Sequence, residues 1–159
     1  MQTQTSFEDA YRRWYPDVFR YCRRRVGDDL ALDVAADVWT VAWRRRDVLE
    51  AAEEPLAWLY GVARRTVSNS RRSNRRRLAL ADRAKADAAP DAPDTSSEVL
   101  DALGRLGSSD QEVLRLVAWE GLAGTELAVA LGTSEATARK RLSRARARLA
   151  NELEGAAHV

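Results

Sequence analysis

After Leu80 the chain carries no large apolar side chain until Val99, and Pro90 and Pro93 fall inside that gap. Such a segment has little to bury, and its two prolines oppose a helix. It reads as a flexible linker over residues 79–96, so the 159 residues do not share one continuous core. Two units follow, residues 1–78 and 97–159. Each has a size at which burial alone stabilises a fold only marginally, so partners are expected to matter.

Charge follows the same division. Residues 1–78 hold 16 basic and 11 acidic residues, a net +5, while residues 99–159 hold eight of each. The small overall charge of +2 therefore hides a basic first unit. Only Lys85 and Lys140 are lysines, which makes 24 of the 26 cations arginine. The planar guanidinium suits phosphate and guanine, although a GC-rich genome produces the same bias.

Several classes of function are excluded. One cysteine, Cys22, cannot form an internal disulfide, and one histidine, His158, stands beside the last residue. Neither a zinc cluster nor a histidine-based catalytic constellation can be assembled from these. Cys22 falls among apolar helix positions and reads as a small core residue. No apolar run approaches the ~20 residues that span a bilayer, and the start MQTQTSFEDA lacks the apolar segment of a signal peptide. The expectation is a cytoplasmic protein that is not an enzyme, needs no cofactor or metal and does not insert into membranes.

Outside the linker the apolar residues recur with helical period, and no stretch alternates with period two. The fold class is all-α: two small helical domains joined by a flexible linker, the second containing a helix-turn-helix. Phe7, Tyr11 and Trp14 open the first helix, which Pro16 is predicted to interrupt or restart. Val18, Cys22 and Val26 continue its stripe to a stop at Gly27. Leu30, Val34, Val38 and Val41 mark one face of a helix from Asp29 to about Arg46. Pro55 suits a first helical turn, followed by Leu56, Leu59, Ala63 and Val67 and then the run SNSRRSNRRR. In the second unit Val99, Leu103 and Leu106 follow Ser96 and Ser97, and Ser109 with Glu112 has the spacing of a capping box. Glu120-Gly121 closes that helix. A final helix is predicted from Glu135 to about Leu153, with Ala138, Leu142, Ala145 and Leu149 inward.

The segment GLAGTELAVALGTSEATARKRLSRARARL has the layout of a helix-turn-helix. A short helix holds Glu126, Leu127 and Ala128, Gly132 permits a left-handed turn, and Ser134 caps a second helix. That helix carries Arg139, Lys140, Arg141, Arg144, Arg146 and Arg148 with no acid between residues 136 and 149. Its capped amino end suits phosphate, and its first turns can enter a major groove. A second basic run, Arg64, Arg65, Arg71, Arg72, Arg75, Arg76 and Arg77, has Asn69, Ser70, Ser73 and Asn74 interleaved. Charge alone fits a solvated helix face, but two basic surfaces on two tethered units fit a long anionic ligand, duplex DNA.

At this point FEDAYRRWYPDVFRYCRRRVGD, DVAADVWTVAWRR and AWLYGVARR, then the linker, then LDALGRLGSSDQEVLRLVAWEGLAGTELAVALGTSEATARKRLSRARARL, resemble an extracytoplasmic-function (ECF) sigma factor of the sigma-70 family. The resemblance runs from about Ser6 to Leu149 in order and spacing. It implies a protein that has only the second and fourth sigma regions, binds core RNA polymerase, melts the −10 element with the first domain and reads the −35 element with the second. Carried onto these residues, it implies −35 contacts from Ser134, Glu135, Thr137, Arg139, Lys140, Ser143 and Arg144. It implies −10 contacts from Arg64, Arg65, Asn69, Arg71 and Arg72, and polymerase contacts from Asp33, Asp37 and Trp39. The implied partners are the β′ clamp helices and β flap of core polymerase, promoter DNA and an anti-sigma factor. The sequence departs from the family at Ala36, where Gln is common, and at Arg65, where a base-capturing Asn is frequent. Ala123 and Gly124 replace a capping Ser and an aromatic, a change expected to loosen the short helix by about 1 kcal/mol. Ala138 replaces a Val.

Two other readings compete: a self-sufficient helix-turn-helix regulator, and a helical protein-interaction module whose arginines only solubilise it. The first needs a dimerisation helix, and no sustained heptad seam is present. Asp29, Asp33 and Asp37 share one helix without a second ligand-bearing element, which favours docking or a solvated face over a metal. Trp39, Trp43 and Trp58 could stack on unpaired bases, with Trp58 the one most suited to the core.

Overall fold

A computed structural model describes residues 5–80 and 96–158. The linker expected over 79–96 falls mostly outside the described residues. The chain divides into two compact units, residues 1–91 and 92–159, and each is built only of helices among the described residues.

In the first unit α1 (Phe7–Val26), α2 (Asp28–Arg44) and α4 (Pro55–Leu80) pack against one another, with the short α3 (Arg46–Ala51) between α2 and α4. Ser6 caps α1 by accepting from the Asp9 amide at 3.2 Å. Glu8 and Asp9 in the first turn and Arg23, Arg24 and Arg25 in the last complement the helix dipole. Gly27, at φ 85°, ends α1 and lets α2 begin one residue later. Alanines at the helix crossings (Ala10, Ala31, Ala35, Ala42 and Ala63) are fully buried and allow close approach. Val18, Cys22, Val34, Val38, Leu59 and Val67 fill the space between them.

Two expectations for this unit are corrected. Pro16 does not interrupt the first helix, which is continuous from Phe7 to Val26. The bond that Pro16 cannot donate would have gone to the carbonyl of Arg12. Both residues are exposed, so water can serve that carbonyl while the buried stripe keeps the helix in register. The sequence reading also missed α3. Six residues are too short to show a period of 3.6, yet its Leu49 is fully buried.

The second unit gathers α5 (Ser97–Gly104), α6 (Ser108–Ala118) and α7 (Thr125–Leu131) around α8 (Glu135–Ala157). Ser96 caps α5. The capping box expected at Ser109 and Glu112 does not form, because Gly107 takes the cap position in extended conformation and Ser109 already lies inside α6. Gln111 instead donates its side-chain amide to the Leu106 carbonyl at 2.8 Å. The last helix runs to Ala157, past the expected end near Leu153. Arg105, the C-cap of α5, reaches Glu152 of α8 at 2.8 Å and ties the two helices together.

Candidate nucleic-acid interface

The helix-turn-helix forms as its turn chemistry requires. Gly132 sits at φ 67° and ψ 38°, the left-handed conformation, and ends α7. Two residues on, extended Ser134 caps α8, its Oγ accepting from the Thr137 amide at 3.2 Å. Leu127, Ala128, Ala130 and Leu131 of α7 are buried, as are Ala138 and Ala145 of α8, which fixes one face of α8 inward. The cap of α7 falls on Gly124, at φ 57° and without a side-chain bond.

The outward face of α8 presents Glu135, Ala136, Arg139, Lys140, Arg141, Ser143, Arg144 and Arg146, all exposed. Thr137 is half-buried and its hydroxyl lies 3.0 Å from Ser134 Oγ, so both belong to the cap itself. Among the described residues Arg139, Lys140, Arg144 and Arg146 form no ion pair. Arg148 differs: it donates to Asp110 of α6 at 2.7 Å and serves to hold α8 on its own unit. Glu135 accepts a hydrogen bond from the Thr125 hydroxyl at 2.5 Å, a link between α7 and α8 that sequence reasoning missed. No short-range pattern announces a pair ten residues apart across a turn.

On α4 the expected residues separate. Arg65, Asn69 and Arg72 are exposed and lie one turn apart on one face, with exposed Arg76 continuing it. Arg64 is half-buried. Arg71 is turned away from that stripe and donates to the Arg25 carbonyl at 2.7 Å, tying α4 to the end of α1. Its place in the fold is structural.

The acidic residues of α2 meet α4 across a groove of about 460 Å³. Asp33 and Asp37 stand on one wall, Asn69, Ser73, Asn74 and Arg77 on the other, with Leu30, Val34 and Val41 also lining it. Asn69 therefore belongs both to the basic stripe and to the groove, so residues assigned to two surfaces adjoin. Leu32, unremarked in the sequence, is 64% exposed one turn from Ala36, on the side of α2 that also carries exposed Asp29, Asp33 and Asp37. Its signal was legible as an apolar residue out of phase with Leu30, Val34, Val38 and Val41.

Trp39 is not on that surface. The residue is 5% exposed, and its ring meets Tyr11 and Phe7 edge-on at 5.0 and 6.0 Å. It therefore backs α2 from within instead of offering a contact, and its Nε1 finds no acceptor among the described residues. Trp43 is 51% exposed, under the guanidinium of Arg46 at 4.1 Å. Trp58 is half-buried, with Arg45 above its ring at 5.6 Å. Burial pushes the Cys22 thiol up to about 12, against the opposing charge of Arg25. Among the described residues no group of three or more His, Cys, Asp or Glu side chains is placed to hold a metal, and no helix is long and apolar enough to cross a membrane.

The family Sigma-70 region 2 matches residues 10–77, and Sigma-70, region 4 matches residues 96–149. The chain is 33% identical to the ECF RNA polymerase sigma factor SigD of Mycobacterium tuberculosis over 159 aligned residues, covering 89% of this chain and 74% of that protein. It is 34% identical to a Xanthomonas campestris protein named "Probable RNA polymerase sigma factor RfaY" over 133 residues, 76% of this chain but only 33% of that protein. The fold is that of the sigma factor RpoE, solved in complex with the anti-sigma factor NepR from Bartonella quintana, with a TM-score of 0.69 at 24% identity over 93% of this chain and 96% of that one. Two sigma regions in this order, the second ending in a capped and basic helix, make the chain a member of the ECF RNA polymerase sigma factors.

Proposed function

We propose that this chain is a promoter-recognition subunit that binds core RNA polymerase, directs it to −35 and −10 elements and starts transcription, without catalysing a reaction itself. The observation that carries the reading is the capped α8, whose outward face holds unpaired cations where a major groove would receive it. Residues 1–78 would engage polymerase and the −10 element, residues 97–159 the −35 element, and residues 79–96 would span the interval between them.

In this reading the uncapped amides of the first turn of α8, beside Ser134, and the Thr137 hydroxyl meet phosphate. Glu135, Arg139 and Lys140 read base edges: a carboxylate accepts from cytosine N4, and Arg donates to guanine O6 and N7. Ser143 and Arg144 follow the DNA backbone. Arg65, Asn69 and Arg72 form the −10 face. Asp33 and Asp37, with Leu32 beside them, meet the β′ clamp helices, and the second unit meets the β flap. An anti-sigma protein completes the proposed partner set, and the place of action is the cytoplasm, where polymerase works.

Mixing the full chain with core polymerase and a library of randomised promoters tests the proposal. Co-elution with core and enrichment of a two-element motif in the transcripts are expected. Binding to a palindromic duplex as a dimer, with no effect on polymerase, would overturn it in favour of a self-sufficient regulator.

A further inference from the structure

Glu135 and Arg139 lie four residues apart on the exposed flank of α8, a spacing at which a carboxylate and a guanidinium ordinarily pair. They do not pair here. The Glu135 carboxylate turns instead to α7, where Oε1 accepts from the Thr125 hydroxyl at 2.5 Å. A hydroxyl that donates to a carboxylate makes one of the shorter and stronger hydrogen bonds.

Thr125 is free to make this bond because of its place in the chain. It is the first residue of α7, after Gly124 at φ 57°, and its hydroxyl is not used as a cap. Glu135 is likewise the first residue of α8, so it cannot reach back to complete a capping box, a task for the third position.

We infer that Thr125 is a positioning residue for −35 specificity: its hydroxyl holds the Glu135 carboxylate away from Arg139, so that both side chains stay open to base edges. The inference rests on the proposed reading of α8. A carboxylate has four acceptor sites on two oxygens, and Thr125 occupies one. Oε2 remains able to accept from a cytosine N4 amine, while Arg139 keeps its full fork for a guanine. Without the Thr125 hydroxyl, the Glu135–Arg139 pair closes and neutralises both readers together.

The test selects bound sequences from promoters randomised in the −35 element, using the full chain assembled with core polymerase. The variants are Thr125→Val, which keeps the shape and loses the hydroxyl, Thr125→Ser, which keeps the hydroxyl, Glu135→Ala, and Thr125→Val with Glu135→Ala. Glu135→Ala is expected to reduce preference at one base position by roughly 5- to 100-fold, the range of a single good base contact. Thr125→Val is expected to reduce preference at that position and at the Arg139 position, by roughly 2- to 10-fold, the span of one hydrogen bond. Thr125→Ser should restore the parental motif. Adding Thr125→Val to Glu135→Ala should change nothing further at the Arg139 position, because no carboxylate is left to capture the guanidinium. Affinity for a non-specific duplex, set by phosphate contacts, should stay within twofold in every variant except those lacking Glu135.

An unchanged motif in Thr125→Val overturns the inference, as does equal loss in Thr125→Val and Thr125→Ser, which would make the effect one of helix packing. An unchanged motif in Glu135→Ala also overturns it. A parental protein that selects no −35 motif at all would instead sink the reading of α8 itself, and with it the inference.

Discussion

At the scale of single residues, exposure and pairing sort the arginines that composition could only count. Arg139 and Arg146 both face outward from α8, but Arg139 lies in the turns that a groove would receive and Arg146 two turns further on. Arg139→Ala should therefore relax the selected −35 sequence, whereas Arg146→Ala should weaken all duplexes about equally and lower the salt slope by about one. Selection and salt titration on each variant check this, and an unchanged motif in Arg139→Ala removes that residue from the base readers. Cys22 offers a second residue-scale outcome. Its thiol is held at about 12 against an ordinary value of 9.0 because the site is buried. The folded state then keeps its proton where the unfolded chain gives it up. Its contribution to stability is complete below pH 9 and is lost as pH rises from there toward 12. We expect alkylation of native protein at neutral pH to proceed only as fast as the first unit opens, and at once in denaturant.

At the scale of elements, what was legible in the sequence followed length and local chemistry. The period over Leu30 to Val41 is long enough to define α2, and Gly27, Pro55, Gly132 and Ser134 mark helix ends by conformational needs confined to one residue. The failures are of the opposite kind. Pro16 weakens a helix locally, but the buried face on both sides of it prevails. Ser109 has a capper's chemistry, but Gly107 reaches the cap conformation first. The site followed the same rule: the exposed cations of α8 were readable, while the Arg71–Arg25, Arg148–Asp110 and Thr125–Glu135 contacts join positions whose proximity only the tertiary fold creates. Helix α3 is the clearest case, since six residues hold it through one fully buried side chain. Leu49→Ala should cost about 2–5 kcal/mol, the range for a buried leucine, and loosen the chain between α2 and α4. Urea unfolding of the full chain measures it. A loss below about 0.5 kcal/mol would show that α3 does not depend on that anchor.

At the scale of the whole molecule, the groove between α2 and α4 allows the proposed polymerase docking to be separated from the proposed DNA contact, although Asn69 lines the groove and also lies on the basic stripe. Asp33 and Asp37 are exposed, so reversing their charge removes no buried partner and should leave the helical circular-dichroism signal intact. Asp33→Arg with Asp37→Arg places two cations opposite Arg77 and beside the Arg65–Asn69–Arg72 stripe. If this surface touched DNA alone, the double variant would bind DNA more tightly, since each added cation near phosphate contributes favourably through counterion release. If it docks on polymerase, the same change loses affinity for core, because like charges or lost acceptors at an interface weaken it. The two effects have opposite sign, so one protein distinguishes them: core affinity falls, while non-specific duplex affinity of the free chain holds or rises. Replacing Arg65, Asn69 and Arg72 with Ala should do the reverse, sparing core binding and impairing open-complex formation more than binding to an isolated −35 duplex. Unchanged core affinity in the Asp33 and Asp37 variant would move the docking surface elsewhere on the first unit. Equal loss of −35 binding and of melting in the triple Ala variant would show that the two units do not divide the promoter between them.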